Sequence, residues 1–203
     1  MKELTQAEKA TNYKTLLHIM NVRNTIDKVL IILLSGIDDA AVSSVIRLLL
    51  QRAKDHDASK LKAPELSTFV EFSSLFTEKI SFGSPEYAEF LKGMGEALIH
   101  HYKNNRHHPE HYKVFECSFC QAYHDLLPDR CSVCGEHSHF EERFDFSKMN
   151  LIDLLEMLCD WKASNLLHSD GSIQNSISIC QKKFKIPDGL TQILRNTADL
   201  LED

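Results

Sequence analysis

The sequence contains little glycine and proline and no long apolar run. Of 203 residues, seven are glycine and five are proline, and this scarcity favours helices over the many short strands of an all-β fold. The longest aliphatic run, VLIILL at 29–34, is far shorter than the roughly 18 apolar residues of a membrane span. The opening MKELTQAEKATNYK lacks the apolar core of a signal peptide. These absences predict a cytoplasmic, mostly helical protein outside the membrane.

Excess positive charge is also missing. The chain has 23 Lys and Arg against 29 Asp and Glu, so its formal net charge is −6. A protein that binds duplex nucleic acid needs a concentrated basic face, and the charge therefore argues against that class. A small phosphorylated ligand held by a few local cations is compatible with this balance, and so is a homo-oligomer.

The rest of the composition is ordinary for a folded protein, with 43% hydrophobic and 26% charged residues. The length suits one domain with a sizeable core, or one domain that carries a small insertion. Apolar residues recur at helical spacing along most of the chain. We therefore predict a single all-α domain over residues 1–203, with one cysteine-bearing insertion.

Helical segments are indicated by apolar spacing and by residues typical of helix ends. They are predicted at about 3–34, ending at Ser35-Gly36; from Asp38-Asp39 to Asp57; from Pro64; from Ser84-Pro85 through His101; from Asn150-x-x-Asp153; and at 172–184 and 188–201. Cys159 and Cys180 fall on two of these helices, where we expect them to be buried apolar residues.

Two C-x-x-C pairs are the most specific local motif. Cys117 and Cys120 form the first pair, and Cys131 and Cys134 form the second, ten residues further along. Such paired knuckles place four thiolates tetrahedrally around zinc, and Gly135 permits the tight turn after the second pair. We predict a structural zinc ribbon, with a redox pair or chance clustering of the cysteines as the alternatives.

A four-thiolate zinc site has no open coordination position, so we expect the ribbon to fold its own segment rather than to catalyse a reaction. A surface for a partner is a further interpretation. The nearby His124, His137 and His139 are not needed as ligands, and we expect them at the surface.

Two histidines and one aspartate occupy positions at which the helical pattern predicts apolar core residues. His18 continues the apolar stripe of the first helix, and His56 continues the stripe of the second. Asp160 interrupts a strongly apolar helix, where a carboxylate is costly unless it is paired or bound to a metal. A single such histidine would more often be a hydrogen-bonded core residue. Together with Asp57, however, these residues predict a metal site.

The stretch HHYKNNRHHPEH, which begins at His100, contains five of the eleven histidines. A solvated polar turn and one wall of a metal site would both explain it. Helix phase favours His101 as the inward residue and turns His100 away by about 100°. Phase does not separate His107 from His108, because a proline follows them. His111 fits a ligand and a surface position equally well.

The order of these motifs resembles the HD-domain superfamily, helical proteins in which a first histidine, a His-Asp pair and a distant aspartate bind a divalent metal ion. In binuclear members, intervening histidines hold a second ion. A narrower HD-like family of phage and bacterial proteins is more similar still. HDASK, HHYKNNRHHPEH and DLLEMLCDW resemble its motifs HD-x-SK, HHY-x-x-N-x-HHPEH and DLLEM-x-x-DW. The similarity runs from about His18 to Leu201 and departs at about 112–148, where the zinc ribbon is inserted.

The resemblance implies an HD-domain-like helical bundle and a role for each motif residue. The first ion would be held by His18, His56, Asp57 and Asp160, and the second by His101, His107 and His108, with Asp57 as the bridge. Zn, Mn, Mg or Fe would suit one or two such positions. Asp57 would then belong to the catalytic centre as well as to the ligand set.

Several charged residues near these motifs are candidates for substrate binding or proton transfer. Lys60 could contact a substrate phosphate as a point charge, or be a solvated lysine at a helix end. Lys103 and Arg106 are weaker candidates for the same role. Glu65 and Glu110 are candidate general acids or bases.

Glu156 lies one helical turn before Asp160 and could orient a ligand from behind.

The leading interpretation is a metal-dependent phosphohydrolase that acts on a nucleotide or another small phosphorylated metabolite at a mono- or binuclear His/Asp site. A first alternative keeps the site but makes the protein an HD-type dinuclear iron oxygenase, because His and carboxylate ligands also suit iron. A second alternative is a non-enzymatic interaction protein that binds its partner through the zinc ribbon.

Overall fold

The computed structural model of the chain describes residues 4–34, 40–73, 84–137, 139–166 and 171–201. Its helices are α1 (Gln6–Leu34), α2 (Ala40–Asp55), α3 (Glu65–Ser73), α4 (Pro85–Gly93), α5 (Gly95–Asn104), α6 (Leu151–Asn165), α7 (Ile173–Phe184) and α8 (Asp188–Asp199). Short 3-10 turns span Ala58–Leu61, Pro109–Tyr112 and Phe146–Lys148. The described part of the chain is mostly helical, as predicted.

The strands β1 (Lys113–Cys117), β2 (Tyr123–His124) and β3 (Phe140–Phe144) form one antiparallel sheet in the order β2-β1-β3. β1 pairs with β3 from Lys113↔Phe144 to Cys117↔Phe140. All three strands lie within the segment predicted as an insertion, so the strand content belongs to the ribbon and the rest of the described chain is helical.

The hydrophobic core forms where α1 packs against α2 and α6, with α7 behind α6. Val22, Ile26 and Leu49 are fully buried, because residues three or four apart share one face of a helix. His18 and His56 continue the same faces, as the spacing predicted. Core packing therefore brings these two histidines to one place.

The segment after α2 departs from the prediction. α2 ends at Asp55, two residues before the predicted end, and Asp57 adopts the left-handed conformation with φ 52°. This residue begins a 3-10 turn instead of extending the helix. The predicted stop at Ser35-Gly36 and the predicted start at Asp38-Asp39 lie outside the described residues.

The prediction of one continuous helix from Pro85 through His101 was wrong. The Ser84 side chain caps α4 by accepting from the backbone N–H of Tyr87, as its sequence indicates. The helix then breaks at Gly95, where φ is +51°, and α5 begins there. Pro64 also precedes α3 rather than opening it.

Predictions for the last third of the chain are confirmed. Asn150 and Asp153 form a reciprocal capping box at the start of α6, and α7 and α8 match the two predicted tail helices. Cys159 and Cys180 are buried. Within the described ranges, none of the helices is both long enough and apolar enough to cross a membrane.

Candidate metal centres

The first candidate metal centre combines side chains from three elements. α1 provides His18, the turn after α2 provides His56 and Asp57, and α6 provides Asp160. His18 Nε2 lies 3.0 Å from Asp160 Oδ1 and 3.7 Å from Asp57 Oδ2. His56 Nε2 lies 3.7 Å from each of the same two oxygens. Atoms that share one ion at about 2.1 Å are about 3–4 Å apart. His18, His56 and Asp57 are close enough to share one ion, and so are His56, His107 and Asp160.

A second group of imidazoles surrounds the other oxygen of Asp57. Oδ1 lies 3.4 Å from His101 Nε2, 3.6 Å from His107 Nε2 and 4.0 Å from His108 Nε2. His101 Nε2 and His108 Nε2 are 2.8 Å apart. Asp57 thus offers one carboxylate oxygen to each group, which is how a bridging ligand is placed.

Two buried polar atoms between these groups lack a hydrogen-bond partner: Asp57 Oδ1 and His107 Nε2. Leaving such atoms unsatisfied costs about 1–3 kcal/mol each, and native proteins normally avoid it. A divalent cation between them would satisfy both. The described His and Asp residues therefore fit one or two metal ions, and His107 lies at the boundary between the two groups.

The protonation states of Asp57 and His108 suit metal binding, whereas His56 would have to lose a proton to bind a metal. Burial lowers the pKa of His56, but the surrounding carboxylates, first that of Asp57, raise it to about 10. Burial alone would raise the pKa of Asp57, but the Lys60 ammonium and then the imidazole of His56 hold it well below its usual range. Burial, followed by the neighbouring imidazoles of His107 and His101, lowers the pKa of His108 well below its usual value. Ionised carboxylates and neutral imidazoles are the forms that coordinate metals.

Glu156 orients two of the imidazoles from behind. Its Oε1 lies 3.0 Å from His56 Nδ1 and 3.3 Å from His107 Nδ1, and its Oε2 accepts from Arg52 Nε at 2.6 Å. Burial opposes ionisation, but the hydrogen bonds from His107 and His56 lower the pKa of Glu156 to about 2. A carboxylate on Nδ1 fixes the tautomer and leaves Nε2 of each imidazole facing the cluster. This is the placement that the orienting role predicted from the sequence requires.

Glu65 does the same for His101. Its carboxylate is fully buried, and its Oε2 lies 2.9 Å from His101 Nδ1 and accepts from Ser59 Oγ at 3.0 Å. Its Oε1 lies 2.7 Å from Nδ1 of the outward-facing His100. Helix phase thus correctly predicted that His101 faces inward and His100 outward. The placement of Glu65 behind an imidazole favours a positioning role over the general acid or base role expected from the sequence.

Of the other candidates, Lys60 is the one placed at the cluster, with Nζ 2.6 Å from Asp57 Oδ2. Arg106 instead donates to Asp153, and Lys103 is solvent-exposed. His111 lies 2.9 Å from the carbonyl oxygen of Tyr102 through its Nδ1 and joins none of the candidate groups among the described residues.

Glu110 forms an ion pair with Lys183 at the edge of a cavity beside the cluster. This cavity has two lobes that share His18, Lys60 and His108 as walls. One lobe, of about 310 Å³, extends from the cluster between α1, α3, α4 and α5. The other, of about 290 Å³, extends toward α6 and α7 and includes Asp57, Asp160 and Glu110 in its lining. The His/Asp cluster is therefore open to a small-molecule ligand.

The second candidate centre is the four-cysteine cluster. The Sγ atoms of Cys117, Cys120, Cys131 and Cys134 all lie within 4.8 Å of one another. Cys117 and Cys134 are 3.8 Å apart, and Cys120 and Cys131 are 3.6 Å apart. Sulfurs bound tetrahedrally at about 2.3 Å from zinc are about 3.8 Å apart, so the cluster fits one zinc ion.

The two knuckles repeat the same backbone pattern. The N–H of Gln121 donates to the Cys117 carbonyl at 2.8 Å, and the N–H of Gly135 donates to the Cys131 carbonyl at 2.9 Å. Both residues after the pairs have positive φ, 60° and 78°. Backbone N–H groups, first that of Cys134, lower the pKa of Cys131 to about 5, whereas burial and the neighbouring cysteines raise the pKa values of Cys120 and Cys134. The surroundings thus favour the thiolate form at Cys131.

The spare histidines of the ribbon differ from one another. His137 and His139 are exposed, as predicted. His124 is half-buried instead, with Nε2 3.3 Å from Cys131 Sγ, because β2 pairs with β1 beside the knuckle.

A protein-family model described as a family of unknown function, DUF5662, matches residues 7–200. The chain belongs to the DUF5662 family. The match includes the helical body, the cysteine cluster and every candidate ligand of the His/Asp cluster, so both centres of this DUF5662 protein lie inside the family segment. None of the curated proteins and none of the solved structures matches the chain significantly.

The sequence analysis missed three residues that support the cluster: Arg52, Ser59 and Asn105. Arg52 bridges Glu156 and Asp153, while Asn105 Nδ2 donates to Ser59 Oγ and lies 3.1 Å from His101 Nδ1. Arg52 and Asn105 each lie four residues from a histidine, which places them on the same helix face. That spacing was the available signal.

Proposed function

We propose that this DUF5662 protein is a metal-dependent phosphohydrolase that acts on a nucleotide or another small phosphorylated metabolite. The proposal rests on Asp57, whose two carboxylate oxygens each face a separate group of imidazoles. Lys60 adds support, because its ammonium group pairs with the same carboxylate and lines the open cavity. A paired His/Asp site next to a fixed cation suits a phosphate ester better than a neutral substrate.

Bound divalent ions would supply an activated water and positive charge opposite the phosphate oxygens. Hydrolysis adds water to phosphorus and breaks the bond from phosphorus to the ester oxygen, and the alcohol leaves with one of the water protons. The chain's own contribution is positional. Glu156 and Glu65 hold the imidazoles in one tautomer, and Lys60 Nζ offers a point charge to a phosphate oxygen.

The decisive experiment compares His56→Ala and Asp57→Asn with the matched control His111→Ala, which lies outside the cluster. We expect the wild type and the control to bind metal and to hydrolyse an activated aryl phosphate with Mn²⁺, Mg²⁺ or Zn²⁺ added. Both cluster variants should stay folded and lose at least about 100-fold in rate. Full activity in a folded His56→Ala or Asp57→Asn variant would refute the proposal.

Dinuclear iron chemistry is a second candidate, favoured by the five imidazoles and two carboxylates of the cluster, which are ligands suited to iron. Iron content after anaerobic preparation, followed by substrate-dependent oxygen uptake, distinguishes it from hydrolysis. A metal-bound protein with neither activity would point to the non-enzymatic alternative. In that case, a partner that copurifies with the wild type and is lost on ribbon deletion would identify the function.

A further inference from the structure

The larger lobe of the cavity beside the His/Asp cluster has an unusual lining for a phosphate site. We call it the aromatic lobe and define it by Phe69, Phe72, Phe90, Met94, Leu98 and Tyr102. It begins at His18, His101 and His108 and ends among these apolar side chains. Its volume of about 310 Å³ is at the lower end of the range for small-molecule sites.

Ring contacts hold the walls of the aromatic lobe in place. Phe72 and Phe90 meet edge to face with centroids 5.4 Å apart, and Tyr87 stacks on Phe90 at 6.4 Å. Phe69 lies against the cluster from the other side, with its ring centroid 5.1 Å from Lys60 Nζ. Rings with edges and faces turned into a cavity favour a flat or bulky apolar group.

The polar groups of this lobe are few, and apart from the hydroxyl groups of Tyr87 and Tyr102 they come from the cluster and from α1. Lys60 and the imidazoles lie at the cluster, and Thr11, Lys14 and Thr15 of α1 form the remaining polar wall. Among the described residues that line it, none is Asn, Gln, Asp or Glu. Those side chains supply the paired donors and acceptors that read the edge of a nucleobase. The lobe is therefore built to select by shape and apolar contact.

The smaller lobe has more polar groups in its lining, although Trp161 and Phe184 line it as well, and Tyr87, Leu91 and Tyr102 lie between the two lobes. We call it the polar lobe, and Glu110, Ser164, Asn165, Ser176 and Lys183 contribute to its lining. Asn165 Nδ2 is buried there without a hydrogen-bond partner, a donor that water or a polar ligand group would satisfy. An apolar group placed in this lobe would leave such groups unpaired, which is costly.

We propose that the ligand is an amphipathic phosphate ester whose aromatic or comparably bulky apolar group occupies the aromatic lobe, while its phosphate lies at Lys60 and the His/Asp cluster. This inference rests on the proposed phosphohydrolase function for the role of the phosphate. It narrows the substrate class from small phosphorylated metabolites in general to esters of an apolar alcohol or phenol.

Binding of two non-hydrolysable phosphonates to the metal-bound protein tests the inference without turnover. Naphthylmethylphosphonate should bind at least about tenfold more tightly than methylphosphonate, because a buried ring system adds apolar contact that a methyl group lacks. Equal affinities for the wild type would overturn the proposal. This comparison uses only the wild-type protein, so it does not depend on whether a variant folds.

Three tryptophan substitutions then locate the apolar group. Leu98→Trp fills the aromatic lobe and should abolish the preference for the naphthyl ligand. Ile99→Trp is the matched control on the same helix, at a side chain that is 68% exposed, and should keep it. Ser164→Trp enters the polar lobe and should also keep it. Loss of the preference in Ser164→Trp with retention in Leu98→Trp would place the apolar group in the wrong lobe and refute the proposal.

Hydrolysis measured on 1-naphthyl phosphate and on glycerol phosphate separates the two proposals. Turnover of both esters at equal kcat/KM would support the phosphohydrolase but refute the aromatic lobe as a specificity site. Selective binding of the naphthyl phosphonate without turnover of any ester would support the lobe and refute the phosphohydrolase.

Discussion

At the scale of single residues, the His/Asp cluster depends on carboxylates that lie behind its imidazoles. Glu156 contacts the Nδ1 atoms of His56 and His107 together, and it is kept anionic by those contacts and by Arg52. One side chain therefore sets the direction of two candidate ligands. This double role is not visible from the sequence, where Glu156 is one of many glutamates.

Replacing Glu156 by Gln should weaken metal binding by about 10–100-fold, the usual cost of losing a partner behind a ligand histidine. The amide keeps the size of the side chain but removes the charge that fixes both imidazoles. Competition with a chromophoric chelator measures the affinity. Glu89→Gln is the control, since its ion pair with Lys92 lies on the exposed surface. Wild-type affinity in Glu156→Gln would show that the imidazoles are oriented by other contacts.

The two cysteine knuckles differ in one residue whose effect can be measured. Gln121 and Gly135 occupy equivalent positions after the cysteine pairs, and both have positive φ. For a residue with a Cβ this conformation costs about 1 kcal/mol, and for glycine it does not.

Gln121→Gly should therefore stabilise the zinc-bound ribbon by about 0.5–1 kcal/mol, and Gly135→Ala should destabilise it by about 1 kcal/mol. Zinc release against increasing chelator or denaturant gives both values. Opposite signs for the two variants are the expected result. Destabilisation by Gln121→Gly would mean that its side chain contributes contacts that outweigh the backbone strain.

At the scale of secondary-structure elements, the sequence correctly predicted the helix faces and helix starts that depend on one local rule. Apolar spacing correctly aligned His18 and His56 with the core, and side-chain caps correctly placed the starts of α4 and α6. Local rules failed where the packed structure requires a backbone conformation that the sequence pattern does not indicate. The left-handed Asp57 and the break at Gly95 both interrupt patterns that remain helical in sequence.

Replacement by alanine should have opposite effects on stability at Gly95, where the helix breaks before α5, and at Gly189 in α8. Gly95 has φ +51°, and a Cβ added there would meet no atom within 4 Å; Gly189 lies in the first turn of α8 with equally open surroundings. Gly95→Ala should lower the free energy of unfolding by about 1 kcal/mol because of its backbone conformation. Gly189→Ala should raise it by about 0.5–1 kcal/mol.

Urea denaturation of the two single variants measures both changes, and the pair serves as its own control because neither methyl group meets a neighbour. A stabilising Gly95→Ala would indicate that α4 and α5 can join into the continuous helix that the sequence suggested.

At the scale of the whole molecule, the first residue of the ribbon segment is linked to the His/Asp cluster by one chain of polar contacts. Tyr112, at the start of the ribbon, donates to Asp153 Oδ2 at 2.7 Å. Asp153 pairs with Arg52, and Arg52 pairs with Glu156 behind the imidazoles. The sequence predicted the ribbon segment and the histidines that this chain of contacts joins. It did not predict the middle, since contacts between α2, α6 and the ribbon exist only after the helices have packed.

The link runs through residues of the helical body, and Asp153 remains bound to Arg52, Arg106 and the cap of α6 without the ribbon's help. The His/Asp cluster should therefore survive loss of the ribbon zinc. A chain in which Cys117 and Cys120 are both replaced by Ser should lose one zinc per molecule, because two of four thiolates cannot hold a closed site. Metal at the cluster and the helical circular dichroism should both be retained.

Asp57→Asn is the reciprocal variant, since it removes the shared carboxylate of the cluster and leaves the four thiolates intact. It should keep the ribbon zinc and lose the cluster metal. Elemental mass spectrometry on both variants gives the two stoichiometries. If the double cysteine variant stays folded yet holds no metal at all, then the wild-type metal belongs to the ribbon alone, and the His/Asp side chains are a hydrogen-bonded core rather than a metal centre. If instead each variant loses only the metal of its own centre, then the chain has two independent centres. The His/Asp cluster could then bind substrate regardless of any partner that contacts the ribbon.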